Sequence, residues 1–412
     1  MASLILSDGT VLNGQSFGAA TDSDGEVVFA TGMVGYPESM TDPSYRGQIL
    51  VMTYPLIGNY GVPSEEKNSW GFSQHLESEE IQVRGLVVAQ VSDEYSHHAA
   101  VSSLQRWMEH HGIPGITGID TRMLTKKLRE EGVMLGRIVQ EDQEMQNAKF
   151  KMQNDIADPN RQNLVAEVSI KEPIVYFPDG TSFSDLNTPY SIPNTPVVLA
   201  YDCGMKRNIL RSFLKRGVTV IRVPWDFDLD SYQGTIDGVL ISNGPGNPKT
   251  CTATIAQIKK AIEQDIPTFG ICLGNQLLAL GIGGDTYKLP YGHRGMNQPC
   301  VEVSSSPPDP LSMGEGETGS VPPSSGGGRG RGMEVRGERC LITSQNHGFA
   351  VSDKLPAGWR VWFTNANDGS VEGIMHESGR FFSVQFHPEA TPGPEDANYL
   401  FDSFIDVMKQ SK

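Results

Sequence analysis

An α/β fold in two parts is predicted: a mixed β-rich N-terminal domain with helices, and a C-terminal domain built on a mostly parallel sheet. Three observations predict it. The chain has 412 residues, more than one hydrophobic core ordinarily organises. Its first third runs through short strand-like stretches broken by Gly, Asp and Pro. From about residue 196, strand-like and helix-like segments alternate, which implies parallel strands covered on both faces.

The first domain is read as 1–150. Leu4-Ile5-Leu6, Val27-Val28-Phe29 and Ile49-Leu50-Val51-Met52 are its short strands, and Gly85 to Ala89 is a more buried one. Val101, Leu104, Trp107 and Met108 recur at helical spacing, and Leu124 and Leu128 pair at i, i+4 behind a cap at Asp120 or Thr121. Residues 151–195 are polar with scattered Pro and read as a connecting segment. Some of it (Leu164, Val165, Val168, Ile170) is apolar enough to pack on a domain. The second domain is 196–412. Strands at Val197–Ala200, Val218–Val223, Gly238–Ile241 and Pro267–Ile271 alternate with helices from Met205, around Ile258 and from Leu273. Ligands of such sheets bind at the C-terminal strand ends. Residues 304–337, rich in Ser, Pro, Gly and Arg, bury too little to order themselves and read as a disordered surface insertion.

Composition excludes some functions. The net charge of −16 repels nucleic acid and anionic membranes, so neither is an expected partner. Five cysteines, an odd count without a C-x-x-C pair, speak against a disulfide framework or a structural zinc site. The opening residues have no basic region before an early acid, unlike a secretory signal or transit peptide, and no apolar run is long enough to span a bilayer. A cytoplasmic protein without a bound metal is expected.

Three short stretches carry chemistry. Cys272, in Gly270-Ile271-Cys272-Leu273-Gly274, sits between a buried strand and a helix, as in a nucleophile elbow with sulfur for oxygen. A helix N-terminus favours the reactive thiolate, and its N–H groups can hold a developing oxyanion. His387 and Glu389 flank Pro388 at a strand end, where i and i+2 face the same way, so the carboxylate can orient the imidazole. Gly244-Pro245-Gly246 has little side-chain bulk, so its backbone can approach a ligand, though it lacks the spacing of a phosphate loop. Singly, each stretch also reads as a buried thiol, a surface turn or a plain loop.

Together they resemble the class I, or triad, glutamine amidotransferases, and more narrowly the small subunit of carbamoyl phosphate synthetase or the glutaminase part of the fused eukaryotic pyrimidine enzyme. Gly32–Glu38, Thr41–Tyr45, Tyr54–Gly61 and Gly118–Arg122 match in the first domain, which other amidotransferases of the class lack. Ser242–Gly246, Gly295–Pro299 and Ser344–Phe349 match in the second. The resemblance implies that Cys272 attacks the glutamine amide, His387 acts as acid and then base, and Glu389 orients it. It implies an oxyanion hole at the backbone of Leu273 and Gly246. Glutamine is to be held by Ser44, Gly244, Gly246, Leu273, Gln276, Asn346, Gly348 and Phe349. It further implies a tunnel carrying ammonia to a synthetase subunit or domain, where ATP, magnesium and bicarbonate are used; this chain itself is to carry no cofactor. Cytosolic pyrimidine synthesis is the expected pathway. Two alternatives stay open: a regulatory module with the fold but little chemistry, and a free-standing γ-glutamyl hydrolase. The chain departs from the family at Asn275, where a histidine is usual, and in the 304–337 insertion just before the Ser344–Phe349 segment.

Overall fold

The structure is a computed structural model that describes residues 1–140, 156–184, 195–303, 334–335 and 338–410. The stretch read as a disordered insertion lies outside the described residues, apart from Glu334–Val335, which form a short strand.

The N-terminal domain is a closed barrel. Its strands are β1 (Ala2–Leu6), β2 (Val11–Gly18), β3 (Ser23–Ala30), β4 (Gln48–Met52), β5 (Gly85–Val87), β6 (Pro114–Thr117) and β7 (Met134–Gln140), in the order β1-β7-β3-β4-β5-β6-β2. Alternate residues serve opposite faces: Val27, Phe29, Ile49 and Val51 join one cluster, Val28, Ala30, Leu50 and Met52 another. Helices α1 (Tyr36–Thr41), α2 (Leu104–His110) and α3 (Thr121–Glu131) lie between strands. Leu104, Trp107 and Met108 are buried as the spacing predicts, but Val101 is not on that helix. It belongs to a short strand and is 63% exposed, because the Ser103 side chain caps the helix by accepting from Arg106 N. Asp120 caps α3 as expected, accepting from Met123 N.

The segment read as connecting does more than connect. It holds α4 (Leu164–Val168) and two strands, β8 (Ile174–Tyr176) and β9 (Ser182–Phe183), which add antiparallel edges to the second sheet. That twelve-stranded sheet continues with β10 (Val197–Asp202), β11 (Thr219–Pro224), β12 (Gly238–Ile241), β13 (Thr268–Ile271), β14 (Thr286–Glu302), β15 (Glu334–Val335), β16 (Glu338–Val351), β17 (Trp359–Asn365), β18 (Val371–His376) and β19 (Phe381–Val384). Its order is β9-β8-β11-β10-β12-β13-β19-β18-β17-β14-β16-β15. The parallel part is the centre, β11-β10-β12-β13-β19, with α-helices in the crossovers from β10 to β11 and from β12 to β13. Helices α5 (Arg207–Leu214) and α8 (Tyr399–Gln410) cover one face through Phe213, Phe401 and Phe404. On the other face, α6 (Thr252–Glu263) and α7 (Leu273–Gly281) contribute Ile258, Ala261, Leu277 and Leu278.

Candidate active site

Three neighbouring parallel strands deliver the site. β12 leads to Gly244 and Gly246, β13 to Cys272 and β19 to His387, all beyond the C-terminal ends. Cys272 joins β13 to α7 at φ 55° and ψ −102°, a conformation L residues seldom adopt. Its N–H donates to Val384 O on β19 at 2.8 Å, which fixes the turn. Glycines make the turn possible. A Cβ on Gly270 would lie 2.6 Å from Gly274 O, and one on Gly274 would collide with Ile241 O on β12. Gly274→Ala is therefore expected to destabilise the chain by about 2–3 kcal/mol, the backbone clash outweighing the ~1 kcal/mol that Ala ordinarily gains in a helix. Urea unfolding followed by circular dichroism measures this.

His387 is held from both sides. Its N–H donates to Ser344 O at 2.9 Å, and its Nδ1 lies 2.6 Å from Glu389 Oε1. The strand stops at Val384, and the pair sits beyond it in a tight turn, closed by Ala390 N donating to His387 O at 3.1 Å, so a turn and not the expected extended run brings the two side chains together. His387 Nε2 is buried and makes no hydrogen bond, which leaves it for the thiol and a leaving group. Burial alone would depress its basicity, but the Glu389 carboxylate and the neighbouring Cys272 outweigh burial and push it up to about 10. Glu389 moves the opposite way. Burial would raise it, yet Lys206 and His387 hold it down at about 2. Lys206 Nζ stands 3.1 Å from the same Oε1 and donates to Ala390 O at 2.6 Å.

A cleft brings together Cys272, Ser44, Gly244, Gly246, Gln276, Asn346, Gly348 and Phe349. The Leu273 side chain does not join them. It packs in the core under the sheet, so only its backbone, in the first turn of α7, is available. His387 faces a second cavity, whose walls include Met296, Gly295, Asp42 and Lys206. Glu389 lies behind His387 and lines neither.

Ser44 reaches the site through an interdomain network. Asp42 caps a short turn by accepting from Ser44 N at 2.9 Å. Asn243 Nδ2 donates to Ser44 Oγ at 2.9 Å, and Asn346 Nδ2 donates to Asp42 Oδ2 at 2.9 Å. Deeper in the interface, the buried Glu77 pairs with Arg211 at 3.0 Å and accepts from Asn208 N at 3.0 Å. Gln276 Nε2 donates to Phe349 O at 2.9 Å. Asn275, where the resembling family has histidine, is wholly buried and satisfied: its Nδ2 donates to Gln385 Oε1 at 3.1 Å and its Oδ1 accepts from Ser383 Oγ at 2.8 Å. It ties the elbow helix to β19 and does not face the cleft.

Sequence reasoning missed Asp42, Asn243, Lys206 and Arg294. The first two stand inside stretches quoted above, but their partners are some 200 residues away in the chain, so nothing local marks them. A lysine before a helix and an arginine in a strand carry no motif.

Comparison with known proteins follows this geometry. Residues 4–138 match the family described as carbamoyl-phosphate synthase small chain, CPSase domain. Residues 199–407 match glutamine amidotransferase class-I. The chain is 47% identical over 415 residues to the multifunctional protein CAD of Squalus acanthias, covering 100% of this chain and 16% of that protein. It is 45% identical over 428 residues to the multifunctional protein URA2 of Saccharomyces cerevisiae, covering 100% of this chain and 18% of that one. It is 43% identical over 415 residues to the carbamoyl phosphate synthase arginine-specific small chain of Aspergillus clavatus, covering 100% of this chain and 80% of that one. The chain thus spans less than a fifth of these two multifunctional proteins and most of the small chain.

Proposed function

The chain belongs to the carbamoyl-phosphate synthase small-chain family, with a class-I glutamine amidotransferase domain, and from that premise we propose that it hydrolyses glutamine and passes the ammonia to a synthetase partner. The observation that carries this reading is a strained cysteine elbow opening into a cleft beside a buried His387–Glu389 pair.

The residues divide the reaction between them. Cys272 Sγ attacks the side-chain amide carbon. The backbone N–H groups of Leu273 and Gly246 receive the developing oxyanion, helped by the N-terminal dipole of α7. His387 takes up the thiol proton as Sγ attacks, in a charged form that Glu389 stabilises, and gives it from Nε2 to the departing nitrogen, so ammonia leaves and a γ-glutamyl thioester remains. Water then attacks the thioester with His387 as base, which releases glutamate and restores the thiol. Ser44, Gln276, Asn346, Gly348 and Phe349 hold the substrate. We take the second cavity, beside His387, as the way out for ammonia. ATP, bicarbonate and magnesium would act at the synthetase, which makes carbamoyl phosphate for pyrimidine synthesis in the cytoplasm. Among the described residues, no helix is long and apolar enough to cross a membrane.

Glutamate release from glutamine tests the proposal, with the purified chain alone and with a carbamoyl phosphate synthetase partner. Slow release alone, accelerated at least about tenfold by the partner, is expected. No release under either condition would overturn it.

A further inference from the structure

The cleft contains a buried cation without a counter-charge. Arg294 lies on β14, opposite Asn346 of β16 in the antiparallel ladder, and lines the cleft with Cys272. It is 4% exposed. Its Nη1 donates to Tyr291 O at 2.7 Å, while its buried Nε has no hydrogen-bond partner. Among the described residues, no Asp or Glu forms an ion pair with it. The carboxylate sharing the cleft, Glu26, is already engaged by Lys288 Nζ at 2.5 Å, Gln48 Nε2 at 3.0 Å and Asn160 Nδ2 at 3.0 Å. An arginine keeps its charge in a protein, and an uncompensated buried charge is strongly unfavourable. An anionic ligand supplies the missing partner.

Glycines hold space for this guanidinium. A Cβ on Gly292 would lie 2.6 Å from Arg294 Nη1, and one on Gly348 would lie 3.3 Å from Nη2. Gly348 is itself part of the cleft. The planar fork therefore borders the cleft, on a strand neighbouring the one that supplies Asn346.

We propose that the Arg294 guanidinium binds the α-carboxylate of glutamine and makes the site select an α-amino acid amide over a simple amide. This rests on the glutaminase reading above. Arg294 orients substrate and takes no part in the proton transfers, so its removal weakens binding and leaves the chemical step in place.

The test compares L-glutamine with 4-aminobutanamide, which is glutamine without its carboxylate, using the full chain as wild type, Arg294→Gln and Arg294→Lys. The wild type should favour glutamine in kcat/KM. In Arg294→Gln, KM for glutamine should rise on the order of 100-fold with kcat changed only a few-fold, while 4-aminobutanamide is unaffected. Arg294→Lys should recover part of the loss, since it keeps the charge and loses the fork. An unchanged KM in Arg294→Gln overturns the proposal. So does an equal loss on both substrates, which marks a structural role. A wild type that releases no glutamate would instead sink the glutaminase reading itself, so the two failures are distinguishable.

Discussion

Cys272→Ala is expected to lower glutamate release by at least about 10⁴-fold, since removing the nucleophile of a triad removes nearly all of its chemistry. No other cysteine can replace it. Cys203, Cys251 and Cys300 are buried away from the cleft, and burial pushes their thiols up, Cys251 to about 11 and the other two well above the ordinary range. Cys340 lies on β16 outside the cleft. The fold should tolerate the change, because the replaced side chain is small and the turn is fixed by backbone bonds and flanking glycines. Cys272→Ser serves as a second variant with nearly the same shape. Two measurements decide the matter: steady-state glutamate release, and mass spectrometry of a γ-glutamyl adduct trapped by acid quench. An adduct on a cysteine other than Cys272, or unreduced turnover in Cys272→Ala, would refute the nucleophile assignment.

The parts of this site that were legible in the sequence are those whose physics is local. The elbow could be read because Gly270 and Gly274 flank Cys272 within five residues, and the His387–Glu389 pair because the two residues are near neighbours in the chain, although a turn and not an extended run joins them. Strand and helix periodicities likewise marked β4, α3 and the alternation after residue 196 close to their observed limits, but caught only the inner part of the eight-residue β3 and began α2 too early, at Val101. The closed barrel was not legible. Closure depends on β1 pairing with both β2 and β7, and no local pattern encodes the second partner. The edge strands β8 and β9 were hidden for a similar reason: at three and two residues they are too short to show period two. The family resemblance supplied Ser44, yet the reason it reaches the cleft lies in Asp42, Asn243 and Asn346, three residues from distant segments joined by hydrogen bonds. Arg294 and Lys206 are invisible for a further reason. A charged residue within a sequence reads as surface until burial shows otherwise, and both are nearly inaccessible.

Lys206 is the residue from which the second large effect follows. Glu389 has two neighbours on one oxygen, His387 Nδ1 at 2.6 Å and Lys206 Nζ at 3.1 Å, and all three groups are buried. Burial alone would hinder ionisation of Lys206, but Glu389, Glu77 and Asp42 together keep it charged. Breaking a buried pair by removing one partner costs about 3–5 kcal/mol, because the remaining charge is left uncompensated. Glu389→Gln should therefore lose stability on that scale and, by freeing the imidazole to rotate or change tautomer, lower kcat by about 10⁴-fold. Lys206→Met should lose comparable stability but less activity, since His387 keeps its carboxylate. It should also show a shift in pH dependence. Glu389 is depressed to about 2 chiefly by Lys206, so its ionised form stabilises the fold above the unfolded carboxylate range, and that contribution is lost as pH falls toward 2. Without Lys206 the folded value rises, protonation begins at higher pH, and the acid limb of both stability and kcat moves upward. The double variant Lys206→Met with Glu389→Gln separates the two roles. It leaves neither charge stranded, so it should be more stable than Glu389→Gln alone while remaining as inactive. Thermal unfolding and glutamate release across pH 2–9 measure both quantities on the same samples. If Lys206→Met matched the wild type in its acid limb, Lys206 would not be what holds Glu389 ionised. A double variant less stable than either single one would refute the coupling between them.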